Sequence, residues 1–256
     1  MYIDTHAHLN FPEFKADLDE TIMCAQAAKV CAIVNIALDE EAIKFGQALQ
    51  RRYPHYIFNA AGIHPHEASR WNSSVEASIK ELALEKQIIA IGEMGLDYFY
   101  KLAPVEIQQN TFRRQLQLAQ AVDLPAVIHC RDASQDTIQI LHEENRGYLK
   151  GVLHCFNGDM ELAQAALKLG LLISFTGNIT FPKAEKIRQA AREIPLESIM
   201  LETDCPFLAP QDFRGKRNEP AFVVKVAEKI AEVKGISVEE IAEATTANAR
   251  TMFGLR

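Results

Sequence analysis

The chain has 256 residues, 48% of them hydrophobic, which is enough to bury a large core in a unit of the size that α/β barrels routinely reach. Its formal net charge of -7 excludes whole-surface attraction to a polyanion, so any contact with nucleic acid must be local. Five cysteines without the dense, regular spacing of a disulfide scaffold, no stretch near the ~20 apolar residues of a membrane helix and no leader-like start give the expectation of a soluble, cytoplasmic protein with free thiols.

The first apolar, β-favouring run is Tyr2 to Thr5, followed by a helical face at Leu18, Ile22, Ala25 and Ala28. The alternation then repeats: strand Cys31 to Ile36, helix Asp39 to Arg51, strand Ile57 to Ile63, helix Ser74 to Glu85, strand Ile88 to Glu93 and the longest helix, Val105 to Val122. Ala126 to His129, Val152 to Cys155, Leu171 to Phe175 and Ile199 to Glu202 complete the strands, with helices over Ala133 to Glu143, Asp159 to Leu169 and Lys183 to Glu193 between them. Helices over Pro220 to Val233 and Ser237 to Asn248 close the chain. Strand and helix alternation requires parallel pairing through crossovers, and eight apolar strands suit an α/β fold of the (β/α)8 TIM-barrel type, a single domain over residues 1–256. An open doubly wound sheet is the rival, but it would spread the polar candidates of strands one, four, five, six and eight across its width.

Those candidates are His6, His8, Glu93, His129, His154 and Asp204, each where an apolar run ends. Side chains alternate along a strand, so His6 and His8 point one way and Thr5 and Ala7 the other. Taken singly, each of the six reads equally well as a satisfied polar residue at a sheet margin. Together, four imidazoles and two carboxylates at the open end of a barrel suit two divalent ions (Mg, Mn, Zn or Ni), with a carboxylate such as Glu93 able to bridge. Alternation sends Cys130, Cys155 and Cys205 to the opposite face and puts Glu202 on the face of Asp204, where it would orient a ligand or a water.

Around this ring, His64 could reach a phosphate as a donor, with His66 farther out, and Arg131 shares the face of His129 and could clamp a phosphate oxygen; a loop histidine and a structural ion pair are the alternatives. Arg214 to Arg217 is the one compact basic cluster, in the loop after strand eight, and is read as substrate contact rather than a merely solvated loop. Tyr98, Tyr100, Phe156 and Phe207 could stack bases or anchor loops. The loop Tyr98 to Pro104 is a candidate active-site loop.

Asp4-Thr5-His6-Ala7-His8, Gly62-Ile63-His64-Pro65-His66, Gly92-Glu93-Met94-Gly95-Leu96-Asp97, His129-Cys130-Arg131, His154-Cys155-Phe156 and Glu202-Thr203-Asp204-Cys205-Pro206 resemble the TatD family of metal-dependent deoxyribonucleases, in order and spacing and over nearly the whole chain. The resemblance implies a barrel hydrolase of the amidohydrolase type in which His6, His8 and Asp204 hold one ion, His129 and His154 the other, and Glu93 spans both. Phosphodiester hydrolysis at DNA ends, with Asp204 as general base and Arg131, Arg214 and Arg217 on the substrate, is the expected function. The expected substrate is DNA, single-stranded or at ends, and neither a membrane nor an obligate protein partner is expected. A carboxyl ester or amide hydrolase such as a D-aminoacyl-tRNA deacylase is the alternative on the same ligands, and a metal-stabilised scaffold without turnover is a third reading.

Overall fold

The computed structural model describes residues 1–147 and 149–255. Eight strands, β1 (Tyr2–Ala7), β2 (Val30–Ala37), β3 (Ile57–Ala61), β4 (Ala90–Asp97), β5 (Ala126–Arg131), β6 (Gly151–Leu153), β7 (Leu172–Phe175) and β8 (Ile199–Leu201), pair in parallel in sequence order. The crossovers carry α1 (Leu18–Ala27), α2 (Glu40–Arg52), α3 (Ser73–Leu84), α4 (Val105–Ala121), α5 (Ser134–Glu144), α6 (Met160–Lys168) and α7 (Glu185–Glu193). After β8 come α8 (Val223–Lys234) and α9 (Val238–Phe253).

β8 returns to β1 through the bridge between Ala7 and Cys205 and the bonds from Asp204 N to His6 O at 2.9 Å and from His8 N to Cys205 O at 2.8 Å. The fold is the (β/α)8 barrel expected from the alternation of strands and helices.

The pleat divides the core in two. Ile3, Val34, Ala60, Ala90, Val127, Val152 and Met200 fill the barrel interior, which Ala249 and Phe253 of α9 close from below. Their strand neighbours Ile33, Ile91, Ile128, Leu153, Ile199 and Leu201 face the helices in a larger shell that includes Ile22, Phe112 and Ile230. Capping fixes where several helices begin: Asp39 accepts from Ala42 N, Asn72 from Ser74 N and Val75 N, and Ser237 forms a reciprocal capping box with Glu240.

Two irregularities break the period-two pattern where it matters. Along β1 the pairing with β2 steps from Asp4↔Ile33 to Ala7↔Asn35, and along β4 the pairing with β5 steps from Gly92↔Val127 to Met94↔Ile128, leaving Glu93 as the extra residue. A bulge re-aims one side chain relative to strict alternation. Glu93 therefore lies inside β4 rather than at the end of a strand finishing there, and β1 likewise continues past Thr5 through His6.

Candidate metal centre

The six dispersed groups meet at the C-terminal mouth of the barrel. His129 belongs to β5, His154 directly follows β6, and Asp204 lies beyond β8 with φ of 56°, so its side chain is aimed by a turn and not by the pleat. Cys155, with φ of 49°, also stands outside its strand, and its Sγ lies 3.8 Å from Thr176 Oγ1. The alternation argument for Cys155, Cys205, Glu202 and Asp204 therefore does not apply, because β6 ends at Leu153 and β8 at Leu201.

Glu93 is the hub. Its Oε2 lies 3.3 Å from His6 Nε2 and 3.9 Å from His8 Nε2, while its Oε1 lies 2.9 Å from His129 Nδ1, 2.7 Å from His154 Nε2 and 3.4 Å from His64 Nε2. Asp204 Oδ1 completes the first group at 3.4 Å from His8 Nε2 and 3.7 Å from His6 Nε2. Imidazole nitrogens face each other across both gaps, His6 Nε2 and His8 Nε2 at 3.2 Å and His129 Nδ1 and His154 Nε2 at 3.1 Å. Nitrogen lone pairs and carboxylate oxygens converging on the same small volumes suit a divalent cation, and the outward nitrogens His6 Nδ1, His8 Nδ1, His129 Nε2 and His154 Nδ1 are buried without hydrogen-bond partners among the described residues. The residues fit a metal centre. Within it His6, His8 and Glu93 form one compact donor group and His64, Glu93 and His129 another, so His64 stands closer to the donors than its expected place as a phosphate contact.

The charges are tightly coupled. Burial alone would raise the Glu93 carboxyl, but His154, His64 and His129 hold it well below its ordinary range. Burial opposes charge on His154 as well, yet Glu93 and Glu202 raise its pKa well above the usual value, and Asp97 and Glu93 do the same less strongly for His129. Burial and the neighbouring His154 lower His6, and burial lowers His64. Carboxylate and imidazoles thus favour positive charge at this cluster, which a bound cation would supply.

A second ring of groups holds this one. Glu202 Oε1 accepts from Cys155 N at 2.6 Å and lies 3.4 Å from His154 Nδ1, behind the imidazole edge that faces Glu93. Asp97 was not anticipated as a site residue, only as the last letter of a motif. Its Oδ2 lies 2.8 Å from His66 Nε2 and 3.4 Å from His129 Nε2, while its Oδ1 accepts from Phe99 N and Tyr100 N. A carboxylate two residues after Gly95 on the inward side of β4 was the available signal. Asp4 is the other omission: fully buried, it accepts from Thr203 N and the Thr203 hydroxyl and so ties β1 to the segment carrying Asp204.

The proposed substrate residues separate. Arg131 lies with its guanidinium carbon 4.1 Å from the Phe99 ring centre and 4.9 Å from that of Tyr100, and no carboxylate pairs with it among the described residues. Arg214 is exposed, 4.3 Å over the Phe181 ring. Arg217, by contrast, is engaged within the protein. Both its terminal nitrogens bond Asp17 at 2.7 Å, one also bonds Glu219 at 2.9 Å, and the Glu13 carbonyl accepts from it too, so its fork is consumed in holding the loop to α1. Of the aromatic candidates, Tyr98 bonds Asp136 through its hydroxyl and Phe156 is buried, whereas Tyr100 and Phe207 are exposed.

Comparison with known proteins agrees with this geometry. A family model described as TatD related DNase matches residues 3–254. The metal-dependent hydrolase YabD of Bacillus subtilis (strain 168) is 45% identical over 253 residues, covering 99% of both chains. The Escherichia fergusonii protein named 3'-5' ssDNA/RNA exonuclease TatD is 34% identical, covering 98% of both. The crystal structure of the TatD homologue YJJV from Escherichia coli K12 superposes with a TM-score of 0.93 at 30% identity, covering 100% of this chain and 98% of that one. With barrel, motifs and full-length relatives in agreement, the chain belongs to the TatD related DNase family and is a metal-dependent hydrolase of phosphoester bonds.

Proposed function

We propose that the enzyme removes nucleotides from the ends of single-stranded DNA, in the 3'-to-5' direction carried by its relative's name, with two divalent ions at the Glu93 hub. The observation that supports this best is the opposed orientation of the Glu93 oxygens, one toward His6 and His8 and the other toward His129 and His154. His6, His8 and Asp204 would hold one ion, His129 and His154 the other, and Glu93 would span them. Such ions polarise a phosphoryl oxygen and acidify a nearby water.

The protein groups complete the chemistry. Burial would raise the Asp204 carboxyl, but His8 and His6 hold it below its ordinary value, so it stands ionised and ready to accept the proton of the attacking water. His64, kept neutral by burial, offers its ring N–H to a phosphate oxygen. Arg131 and Arg214 carry the charge that positions the following phosphates, a role Arg217 is not free to share. The five cysteines are all free, which accords with a reducing cytoplasm. A carboxyl ester is not favoured, because the relatives named for an activity on a polymer act on nucleic acid.

Metal-stripped protein reconstituted in turn with Mg, Mn, Zn and Ni, and offered single-stranded DNA, duplex DNA and aminoacyl-tRNA, tests the reading. Single-stranded DNA should be degraded fastest with the best ion, and Asp204→Asn should abolish turnover while retaining the fold. Near-normal rates in that variant would remove Asp204 from its role, and faster deacylation than DNA cleavage would overturn the substrate class.

A further inference from the structure

Two pairs of aromatic rings flank the metal centre, one on each half. On the His6–His8 side, Phe11 lies 4.9 Å from the His8 ring and Phe207 6.3 Å from it, the two phenyl rings meeting edge to face at 5.6 Å. On the His64–His129 side, the Tyr100 ring lies 5.4 Å from His66, and Phe99 packs edge to face on Tyr100 at 4.8 Å. These rings come from loops after β1, β4 and β8, which share no sequence proximity. Phe99, Tyr100 and Phe207 remain 55%, 52% and 49% exposed, an unfavourable state for large apolar rings that serve only to anchor loops.

Resting on the exonuclease reading, we propose that each aromatic pair seats one base of the substrate, so that the nucleotides on either side of the scissile phosphate are held on opposite halves of the metal centre. Every base offers a π-face, and stacking on exposed rings holds single strands without reading their sequence. Arg131 identifies the occupant as nucleic acid and not an apolar protein segment: its guanidinium, without a carboxylate partner among the described residues, lies over Phe99 and Tyr100, beside any base resting there, and offers planar donors to the adjoining phosphate. Engaging both seats at once requires bases free to splay apart, which a paired strand does not allow. The two seats thus set a dinucleotide footprint and exclude internal duplex.

The test uses Tyr100→Ala and Phe207→Ala in the metal-loaded enzyme, with Leu102→Ala as a control that removes an exposed apolar side chain from the same loop but no ring. Substrates are a short single-stranded oligonucleotide and two versions with a base-free spacer, one at the terminal and one at the penultimate nucleotide. Each aromatic variant should lose roughly tenfold in kcat/KM on the intact strand, chiefly through KM, with Leu102→Ala unaffected. The Tyr100→Ala loss should vanish with one spacer position and the Phe207→Ala loss with the other. Losses that persist on both spacer strands, or an equal loss in Leu102→Ala, would overturn the proposal. A binding arm keeps it separate from the activity: 2-aminopurine at either position of the oligonucleotide should be quenched by metal-free wild type and less so by the matching variant. Wild type that cleaves no DNA overturns the exonuclease reading, while quenching insensitive to both variants overturns the base seats.

Discussion

Asp4 shows how much the site depends on groups that never meet substrate. Burial pushes its carboxyl up from 3.8 to about 8, against the lowering effect of hydrogen bonds from Thr203 and His6. The unfolded chain gives up this proton near its ordinary pKa while the folded chain keeps it, so the folded state binds more protons between the two values. The stability contributed is fully present below about pH 4 and is lost as pH rises through about 8. Asp4→Asn, a neutral isostere able to accept from Thr203 N and donate to its hydroxyl, should flatten the fall of Tm across that window relative to wild type. Parallel Tm–pH curves would show that Asp4 does not carry the dependence. At this scale the convergence of six dispersed side chains was legible, because a polar group after an apolar run is visible in one dimension. Asp97 and Asp4 carry no such signal, since their importance lies in contacts with His66, His129 and Thr203 that only the closed barrel creates.

One helix sets the position of two strand ends. From buried positions seven residues apart on α4, Gln108 accepts from Asp97 N and donates to Asp97 O and Ala103 O, and Gln115 accepts from Ile63 N and donates to Ile63 O. Ile63 precedes His64, and Asp97 holds His66, so α4 fixes the His64 side of the centre from behind. Gln115→Leu would leave a buried backbone N–H and C=O unpaired, at a cost of about 1–3 kcal/mol each. The expected outcome is a clear fall in Tm together with reduced kcat; a variant with wild-type Tm would show that the pair is satisfied in another way. Such glutamines read in sequence as the polar face of an amphipathic helix, which is why their function was hidden. The bulge at Glu93 was hidden for a related reason: strict alternation cannot signal its own interruption. Gly92 and Gly95 frame it with φ of 139° and 138°, and a Cβ on Gly95 would stand 2.0 Å from the His129 carbonyl oxygen. The positive φ and the close approach of β5 both make glycine necessary there.

Across the whole molecule, the net charge of -7 means that attraction for a polyanion must be local. Arg214 and Arg217 separate two effects that looked like one basic cluster. Arg214→Ala should weaken binding and reduce the slope of log affinity against log salt by about 0.7, the value for one phosphate contact on a single strand. Arg217→Ala should leave that slope unchanged and lower stability by about 1–3 kcal/mol through loss of its charged hydrogen bonds. A changed slope in Arg217→Ala would return it to the substrate. Its partner Asp17 lies 200 positions away in the chain, too far for a reading of local charge runs to connect the two.

The seam between β1 and β8 carries the bond from Thr203 N to Asp4, across 199 positions, and beside it stand His6, His8 and Asp204. A nascent chain emerging from the ribosome presents His6 and His8 first, but Asp204 only after all eight strands have been made. Until then the His6–His8 half of the cluster has Glu93 but lacks Asp204. On the proposed ligand set, completion of that half would therefore follow barrel closure, and a product of interrupted synthesis ending before Asp204 would lack one of its donors.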